Sequence, residues 1–284
     1  MRNFLIFIAV GFFLISCKTK TKEWSYSSTL KLEGINPIGI TDSNGELWLS
    51  DGDHNRLVQI AEDGEILKQI DSLDRPMHIA SHHQLLYVPQ YGNDKIERFI
   101  PEDNLVVLNG FERSTVEFES DMPLDAPSAI AVFDVEMAIV DFYNNRILYR
   151  NSAEEWISFG KKGSYKGHFF YPTDVQITLD KIWVADAYNN RIQVFDKQGN
   201  FLQMIGQDQK MDAATGLFVS ESEVFITDFE NNRALVFDHT GQLKQELKKG
   251  IAKATDLLVK DDVLYIINYR KGELVLYNLQ EKQE

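Results

Sequence analysis

The chain has 284 residues, of which 44% are hydrophobic and 12% aromatic, and its formal net charge is −14. This length and composition allow one or two domains with a sizeable core. The strongly negative charge repels phosphate backbones and therefore argues against nucleic acid as a partner. Cys17 is the only cysteine, which excludes an intramolecular disulfide.

The N-terminal residues have the form of a secretory signal. Arg2 precedes an apolar run from Phe4 to Ile15 that is too short for a comfortable membrane span. The run leads into Leu-Ile-Ser-Cys at residues 14–17, which resembles a bacterial lipobox. In a lipobox the signal peptide is removed and the new N-terminal cysteine is acylated.

This resemblance implies three segments, with an uncleaved anchor as the alternative. Residues 1–16 form a lipoprotein signal peptide, residues 17–23 contain the lipidated Cys17 and a short tether, and residues 24–284 form the folded domain. Two or more acyl chains hold a protein stably at a membrane. We therefore expect a bacterial envelope protein, anchored by lipid at the outer membrane and facing the periplasm.

One phrase recurs along the folded part of the chain at intervals of about 40 to 50 residues, a period typical of propeller blades. Each copy carries polar turn residues between two apolar stretches. The six copies are DGDHNRLVQI from Asp51, QYGNDKIERF from Gln90, DFYNNRILYR from Asp141, DAYNNRIQVF from Asp186, DFENNRALVF from Asp228 and NYRKGELVLY from Asn268.

Each unit predicts four antiparallel strands, which we call a to d from the centre of a propeller outward. In the fourth unit the strands are PTDVQI, KIWVAD, RIQVFD and NFLQMIG, separated by turns. The sixth unit ends after strand c, and the alternating stretch at residues 24–33 is expected to supply its strand d. The sequence therefore predicts an all-β, six-bladed propeller of four-stranded antiparallel blades, closed by its N-terminal strand.

The fourth unit, YPTDVQITLDKIWVADAYNNRIQVFDKQGNFLQMIG, and the preceding loop FGKKGSYKGHFFYP resemble the NHL-repeat family over about residues 35–280. The family includes RNA-binding and protein-binding modules, kinase-sensor domains and peptidylglycine amidating lyases, which use a metal in the central channel. The resemblance supports the fold and leaves the activity open. The second and sixth units depart from the Asp-Asn-Arg pattern, which leaves the geometry of their turns open.

The start of strand a lies nearest the channel in such a propeller. Three alternate blades place polar residues there, whereas the other three place Gly39, Ala129 and Gly216. One imidazole and two carboxylates suit a divalent metal, either calcium or zinc. The alternative is that these side chains only hydrate the channel. The candidate ligands are His78, Asp174 and Asp256.

The turns between strands b and c lie at the same end of the propeller, which we call the channel face. Their aromatic residues could form a rim that stacks a sugar or grips a peptide. The alternative is that they pack neighbouring turns together. The candidate ligand-binding residues are Tyr91, Phe142, Tyr143, Tyr188, Phe229 and Tyr269, with His54 and Arg270 as polar members.

Three functions remain open on these residues. The first is a monomeric, lipid-anchored envelope propeller that binds an envelope protein, peptide or glycan through the channel face. The second is a metal-dependent lyase or hydrolase with His78, Asp174 and Asp256 as ligands and Tyr188 as acid or base. The third is a structural scaffold. The sequence has no P-loop, Rossmann glycine pattern, nucleophile elbow or HExxH motif.

Overall fold

The computed structural model describes residues 21–101, 111–116 and 122–282. The predicted signal peptide and Cys17 lie outside the described residues, as do residues 109–110 and 117–121 of the insertion at residues 109–127. The described residues form 24 strands in six four-stranded antiparallel sheets, which confirms the predicted six-bladed propeller. The helices in this part of the chain are short 3₁₀ turns, and none has the length or apolar character needed to cross a membrane.

The strands follow the predicted order a to d in each blade. Blade one is β2 (Gly39–Ser43), β3 (Glu46–Asp51), β4 (Arg56–Ile60) and β5 (Ile66–Ile70). Blade two is β6 (Ala80–His82), β7 (Leu85–Gln90), β8 (Lys95–Pro101) and β9 (Phe111–Thr115). Blade three is β10 (Pro127–Phe133), β11 (Glu136–Asp141), β12 (Arg146–Arg150) and β13 (Trp156–Phe159).

The second half of the ring repeats this arrangement. Blade four is β14 (Asp174–Ile177), β15 (Ile182–Asp186), β16 (Arg191–Phe195) and β17 (Phe201–Ile205). Blade five is β18 (Ala214–Val219), β19 (Glu223–Asp228), β20 (Arg233–Asp238) and β21 (Leu243–Leu247). Blade six is β22 (Ala254–Lys260), β23 (Val263–Asn268), β24 (Glu273–Glu281) and the N-terminal β1 (Lys22–Lys31).

The N-terminal strand closes the ring, as predicted. β1 pairs with β24 from Lys22 opposite Glu281 to Lys31 opposite Glu273. Its Trp24 is 4% exposed and packs edge-on against Phe225 of blade five, with ring centroids 5.5 Å apart. This strand therefore completes the sheet of blade six and also packs it against its neighbour.

The blades pack through buried aromatic side chains on strand b. Trp48, Tyr87, Trp183 and Phe225 are all at most 4% exposed. Blade three has Ala138 at this position, and Ala138 lies opposite Tyr149 on the neighbouring strand. Because the Tyr149 ring is fully buried, it supplies the volume that Ala138 lacks.

The repeated Asp-Asn-Arg set builds the turn between strands b and c. In blade four, the Asp186 carboxylate accepts hydrogen bonds from Asn189 Nδ2 (2.9 Å) and Arg191 Nε (2.8 Å), and from the backbone N–H of Phe170 (2.8 Å). Blades two and six use Gln90 and Asn268 instead, and each amide oxygen accepts the corresponding backbone N–H of the preceding loop. The turns of blades two and six therefore keep the same connection to that loop.

A second residue of each turn joins neighbouring blades. In the first five blades it has left-handed backbone with φ between 53° and 57°, and its side-chain oxygen accepts a backbone N–H from the loop that enters the next blade. We call this contact the latch. The five latches, with donor to acceptor distances from 2.8 to 3.0 Å, are Arg75 N to Asn55, Ala126 N to Asp94, Tyr171 N to Asn145, Ala213 N to Asn190 and Lys253 N to Asn232.

The latch predicts a stability difference between two asparagines with similar backbone. Asn190→Ala removes the acceptor for Ala213 N–H, whereas Asn44→Ala acts on an exposed turn with φ 55° whose side chain makes no hydrogen bond to a described residue. Both substitutions put alanine in the left-handed region. We expect Asn190→Ala to be the more destabilising by about 1–2 kcal/mol, measured by urea unfolding. Equal losses would show that only backbone conformation matters at residue 190.

Candidate functional site

Three polar side chains meet in the channel at the start of strand a, as the sequence predicts. His78, Asp174 and Asp256 come from blades two, four and six, and one potential ligand atom of each lies within 4.8 Å of the others. His78 Nδ1 is 3.5 Å from Asp174 Oδ2 and 3.9 Å from Asp256 Oδ1. All three residues are at most 5% exposed. We call this group the triad.

Backbone groups hold the two carboxylates in place. Asp174 accepts the backbone N–H of Val175 (2.7 Å) and that of Leu217 in blade five (2.7 Å). Asp256 likewise accepts the N–H of Leu257 (2.8 Å) and that of Ile40 in blade one (2.9 Å). Each aspartate therefore connects its own blade to the next one, in addition to facing His78.

Close approach of the backbones explains why small residues alternate with the triad residues around the channel. A Cβ atom on Gly39 would lie 2.8 Å from the Cα atom of His78, and one on Gly216 would lie 2.7 Å from the Cα atom of Asp256. Contacts this short do not occur without movement of the backbone. The alternation of small and polar residues around the channel thus lets the innermost strands approach closely enough to bring the triad together.

The triad is a strongly coupled electrostatic group. Burial acts to lower the pKa of His78, but the charges of Asp256 and Asp174 outweigh it and raise this pKa to about 9. Burial raises the pKa of Asp256 to about 7, against the opposing effect of the charge on His78. Without another cation, a proton on His78 therefore balances part of the carboxylate charge.

The triad residues fit a divalent cation. His78 Nδ1 is buried and has no hydrogen-bond partner among the described residues. Metal to ligand distances of about 2.0 to 2.6 Å place neighbouring ligand atoms about 3 to 4 Å apart, and the separations of 3.5 and 3.9 Å agree with this. One nitrogen and two carboxylates suit zinc, or calcium if further oxygen ligands complete its shell.

A small cavity adjoins the triad. Its volume is about 130 Å³, and its walls come from the first strands of the blades. The lining residues beyond the triad follow it along these strands, as Gln176 follows Asp174 and Leu258 follows Asp256. The cavity therefore extends from the triad toward the turns between strands a and b, which we call the opposite face, and away from the channel face.

Aromatic side chains form a continuous cluster on the channel face across blades two, three and four. Adjacent ring centroids lie between 4.7 and 5.9 Å apart. Tyr143 is 48% exposed and Tyr188 is 59% exposed. We call this group the aromatic cluster, and its members are Tyr91, Phe142, Tyr143, Phe170, Tyr171 and Tyr188.

The structure does not bring the other predicted rim residues into this cluster. Phe229 lies under the ammonium of Lys253, with the nitrogen 5.1 Å from the ring centroid, and Tyr269 donates its hydroxyl to Asp53 (3.2 Å). The predicted aromatic residues therefore pack into one cluster on blades two to four, whereas those of blades five and six lie outside it.

The two polar members of the predicted rim also have local partners. His54 occupies the place of the turn asparagine in blade one, and its Nδ1 lies 2.8 Å from Asp51 Oδ1. Arg270 has left-handed backbone with φ 63°, and its guanidinium lies 5.4 Å from the ring centroid of Tyr269.

Sequence reasoning missed two members of the cluster, Phe170 and Tyr171, because they belong to a loop and not to a repeated turn. Their backbone N–H groups donate to Asp186 and Asn145. The loop is further fixed by Arg191, which donates to the carbonyl oxygens of Ser164, Tyr165 and His168. The signal that could have indicated them is the run of three aromatic residues at positions 169–171, shortly before strand a of blade four.

Tyr188 is predicted as the acid or base of the metal site, but its ring contacts are with the aromatic cluster. The Tyr188 ring packs against Phe170 (5.9 Å) and Tyr171 (5.3 Å) within the aromatic cluster. Of the described residues that line the cavity beside the triad, none belongs to the aromatic cluster. The propeller therefore has two separate candidate sites. The triad in the channel is buried and polar, and the cluster on the channel face is exposed and aromatic.

Comparison with known proteins supports the architecture. The NHL repeat profile matches residues 169–195, within blade four and the loop that enters it. Similar solved structures include a streptogramin B lyase, with 14% identity, a TM-score of 0.63, and coverage of 92% of this chain and 98% of the other. A search among curated proteins finds no match to the sequence.

Two further solved structures have the same overall shape. A virginiamycin B lyase from Staphylococcus aureus is 14% identical with a TM-score of 0.62, over 92% of this chain and all 100% of the other. A gluconolactonase from Xanthomonas campestris is 12% identical with a TM-score of 0.68, over the same shares of the two chains. Identities this low establish a shared fold and not a shared activity.

The triad predicts a pH dependence of stability for the metal-free protein. His78 binds its proton more tightly in the folded state, with a pKa of about 9 against 6.5 unfolded. Its stabilising contribution is therefore complete below pH 6.5 and is lost as the pH rises to about 9. We expect wild-type stability in chelator to fall over this range. His78→Gln is expected to remove the part of the fall that comes from His78, and the fall that remains is that of Asp256, whose pKa is no longer lowered by the charge on His78.

The matched control is His83→Gln, which changes an exposed histidine in the turn after β6. Urea unfolding at several pH values provides the measurement. A wild-type stability that stays constant between pH 6.5 and 9 would contradict the charge arrangement given for His78.

Proposed function

We propose that this protein is a lipid-anchored envelope propeller that binds a partner protein or peptide through the aromatic cluster on its channel face. The single observation that carries the proposal is the continuity of six packed rings, two of which are about half exposed. Isolated exposed aromatic residues are common, whereas contiguous exposed apolar patches mark interaction sites. Tyrosine is also enriched at interfaces, because its ring buries a large area while its hydroxyl stays hydrogen-bonded.

Contacts within the cluster hold its side chains in place before any partner binds. Tyr91 donates its hydroxyl to that of Tyr143 (2.7 Å), and Phe142 stacks on Tyr171 with an interplanar angle of 18°. Burial and the hydrogen bond to Tyr143 raise the pKa of Tyr91 well above its ordinary value, which keeps its phenol neutral. Side chains that are already ordered lose little conformational freedom on association, and this favours affinity.

The ring geometry favours a protein or peptide over a glycan. Most neighbouring rings meet at steep angles, such as 87° between Tyr143 and Tyr171 and 88° between Phe170 and Tyr188. The one near-parallel pair, Phe142 and Tyr171, covers its own ring faces. The described rings therefore do not form a broad platform of coplanar faces, and such a platform is what a sugar needs for stacking.

A second candidate function is a metal-dependent lyase or hydrolase that acts at the triad. Its support is the convergence of His78, Asp174 and Asp256, and the fold shared with lyases and a gluconolactonase. A metal held there would supply Lewis-acid chemistry. The adjoining cavity of about 130 Å³ is small beside the roughly 300 to 1,000 Å³ of typical ligand pockets, so only a small substrate would fit.

Site-specific photo-crosslinking in the native host tests the binding function. A photoreactive amino acid in place of Tyr188, 59% exposed on the channel face, is expected to give a covalent adduct with a partner. The same amino acid in place of Leu179, 82% exposed on the opposite face of the same blade, is the matched control and is expected to give none. Mass spectrometry of the adduct distinguishes a protein from a glycan.

A second substitution tests whether the cluster contributes to the binding energy. Adding Tyr143→Ala to the photoreactive variant is expected to lower the adduct yield about tenfold, because buried tyrosines at interfaces often contribute more than 1.4 kcal/mol. Equal adducts from both faces, or a yield that Tyr143→Ala leaves unchanged, would contradict the proposed surface.

Metal content tests the second candidate. Native mass spectrometry and elemental analysis after exposure to zinc or calcium are expected to find one ion per chain if the triad is a metal site. His78→Gln and Asp256→Asn should each weaken binding by more than about 100-fold, the upper range for residues that only orient a ligand. Asp180→Asn, an exposed acid in the turn after β14, is the control. Absence of a bound ion from the wild type would eliminate this candidate.

A further inference from the structure

The N-terminal strand connects the two ends of the propeller. β1 begins at the opposite face, where Lys22 Nζ lies 3.8 Å from Asp262 Oδ2 in the turn between β22 and β23. It ends at the channel face, where the ammonium of Lys31 donates to the carbonyl oxygen of Lys271 in the turn between β23 and β24. The entry point of the chain and the aromatic cluster therefore lie at opposite ends.

Chain lengths limit how far the predicted anchor can reach. The ten residues of β1 span about 30 Å at about 3.3 Å per residue. Cys17 precedes Lys22 by five residues in the sequence, and five residues reach at most about 18 Å. A lipid on Cys17 can therefore lie close to the opposite face but cannot reach the channel face.

We propose that the anchor holds the opposite face toward the membrane and presents the aromatic cluster away from it, to a protein or peptide of the aqueous compartment. This inference rests on the proposed lipid anchor and on the cluster as the binding surface. Exposed tyrosines are also common among side chains that contact lipid headgroups. The proposed orientation excludes such a contact between the cluster and the membrane that holds the anchor. The cluster is separated from the anchored end by the length of a blade.

Charges on the opposite face limit how closely it approaches the bilayer. The turns there carry exposed acidic residues, among them Asp134, Asp180, Asp261 and Asp262. Such residues do not enter the headgroup region of an anionic membrane. The opposite face therefore stands near the bilayer without embedding in it, and Lys18 and Lys20 lie in the tether, where basic charge favours anionic headgroups.

Energy transfer to labelled lipid tests the orientation. Acylation consumes the thiol of Cys17, so a single introduced cysteine gives a unique label. The matched positions are Leu179→Cys at the opposite face and Tyr188→Cys at the channel face, both exposed and both in blade four. The full-length lipidated protein, labelled with a donor dye, is placed on phosphatidylethanolamine and phosphatidylglycerol vesicles that contain an acceptor lipid.

The expected result is a higher transfer efficiency from residue 179 than from residue 188. Val135→Cys and Tyr143→Cys provide the same comparison in blade three if either first variant fails to fold. Insertion of about twenty glycine and serine residues after Lys20, with a root-mean-square span of about 25 Å, should abolish the difference. Equal or reversed efficiencies with the natural tether would overturn the orientation.

The same samples separate this inference from the function on which it rests. If the wild-type protein and Cys17→Ser associate equally with vesicles, or neither associates, the lipid anchor is refuted and the orientation with it. If only the wild type associates but the efficiencies are equal or reversed, the anchor is supported and the orientation alone is refuted.

Discussion

The latch between successive blades is the interaction on which the other features of this propeller depend. A side-chain oxygen on left-handed backbone accepts an N–H from the next blade's entry loop at five of the six junctions. Each latch fixes the loop immediately before strand a, and so fixes where strand a begins. In blade six the residue at this position is Gly272, which has the same left-handed backbone, with φ 58°, but no side-chain acceptor. The last junction relies instead on Leu32 N–H, which donates to Gly272 O (2.7 Å), and on the pairing of β1 with β24.

The triad shows how a potential ligand site can share residues with the framework. Asp174 and Asp256 bind backbone N–H groups of the following blades, so they have a structural role whether or not a cation is present. The histidine differs, since its Nδ1 has no hydrogen-bond partner among the described residues. His78 is therefore a stronger indication of a ligand site than the two carboxylates are.

The sequence predicts the blades and the triad well, because both follow from a short repeat whose strands have fixed places in the ring. It predicts the aromatic cluster only in part. Phe229 and Tyr269 share the repeat position of Phe142 and Tyr91, yet Lys253 and Asp53 from neighbouring blades engage them. Phe170 and Tyr171 join because Arg191 holds an irregular loop in place, and such side-chain to carbonyl contacts leave no periodic trace in a sequence.

The pairing of β1 with β24 has a mechanical consequence. A pull applied at Lys22 and resisted at the other end of the propeller acts along the axis of β1. Hydrogen bonds of an antiparallel pair run perpendicular to the strands, so this force shears the ladder from Lys22 to Lys31 as a whole and does not unzip it one pair at a time. The strand that closes the ring is thus also oriented to carry tensile load between the two faces of the propeller.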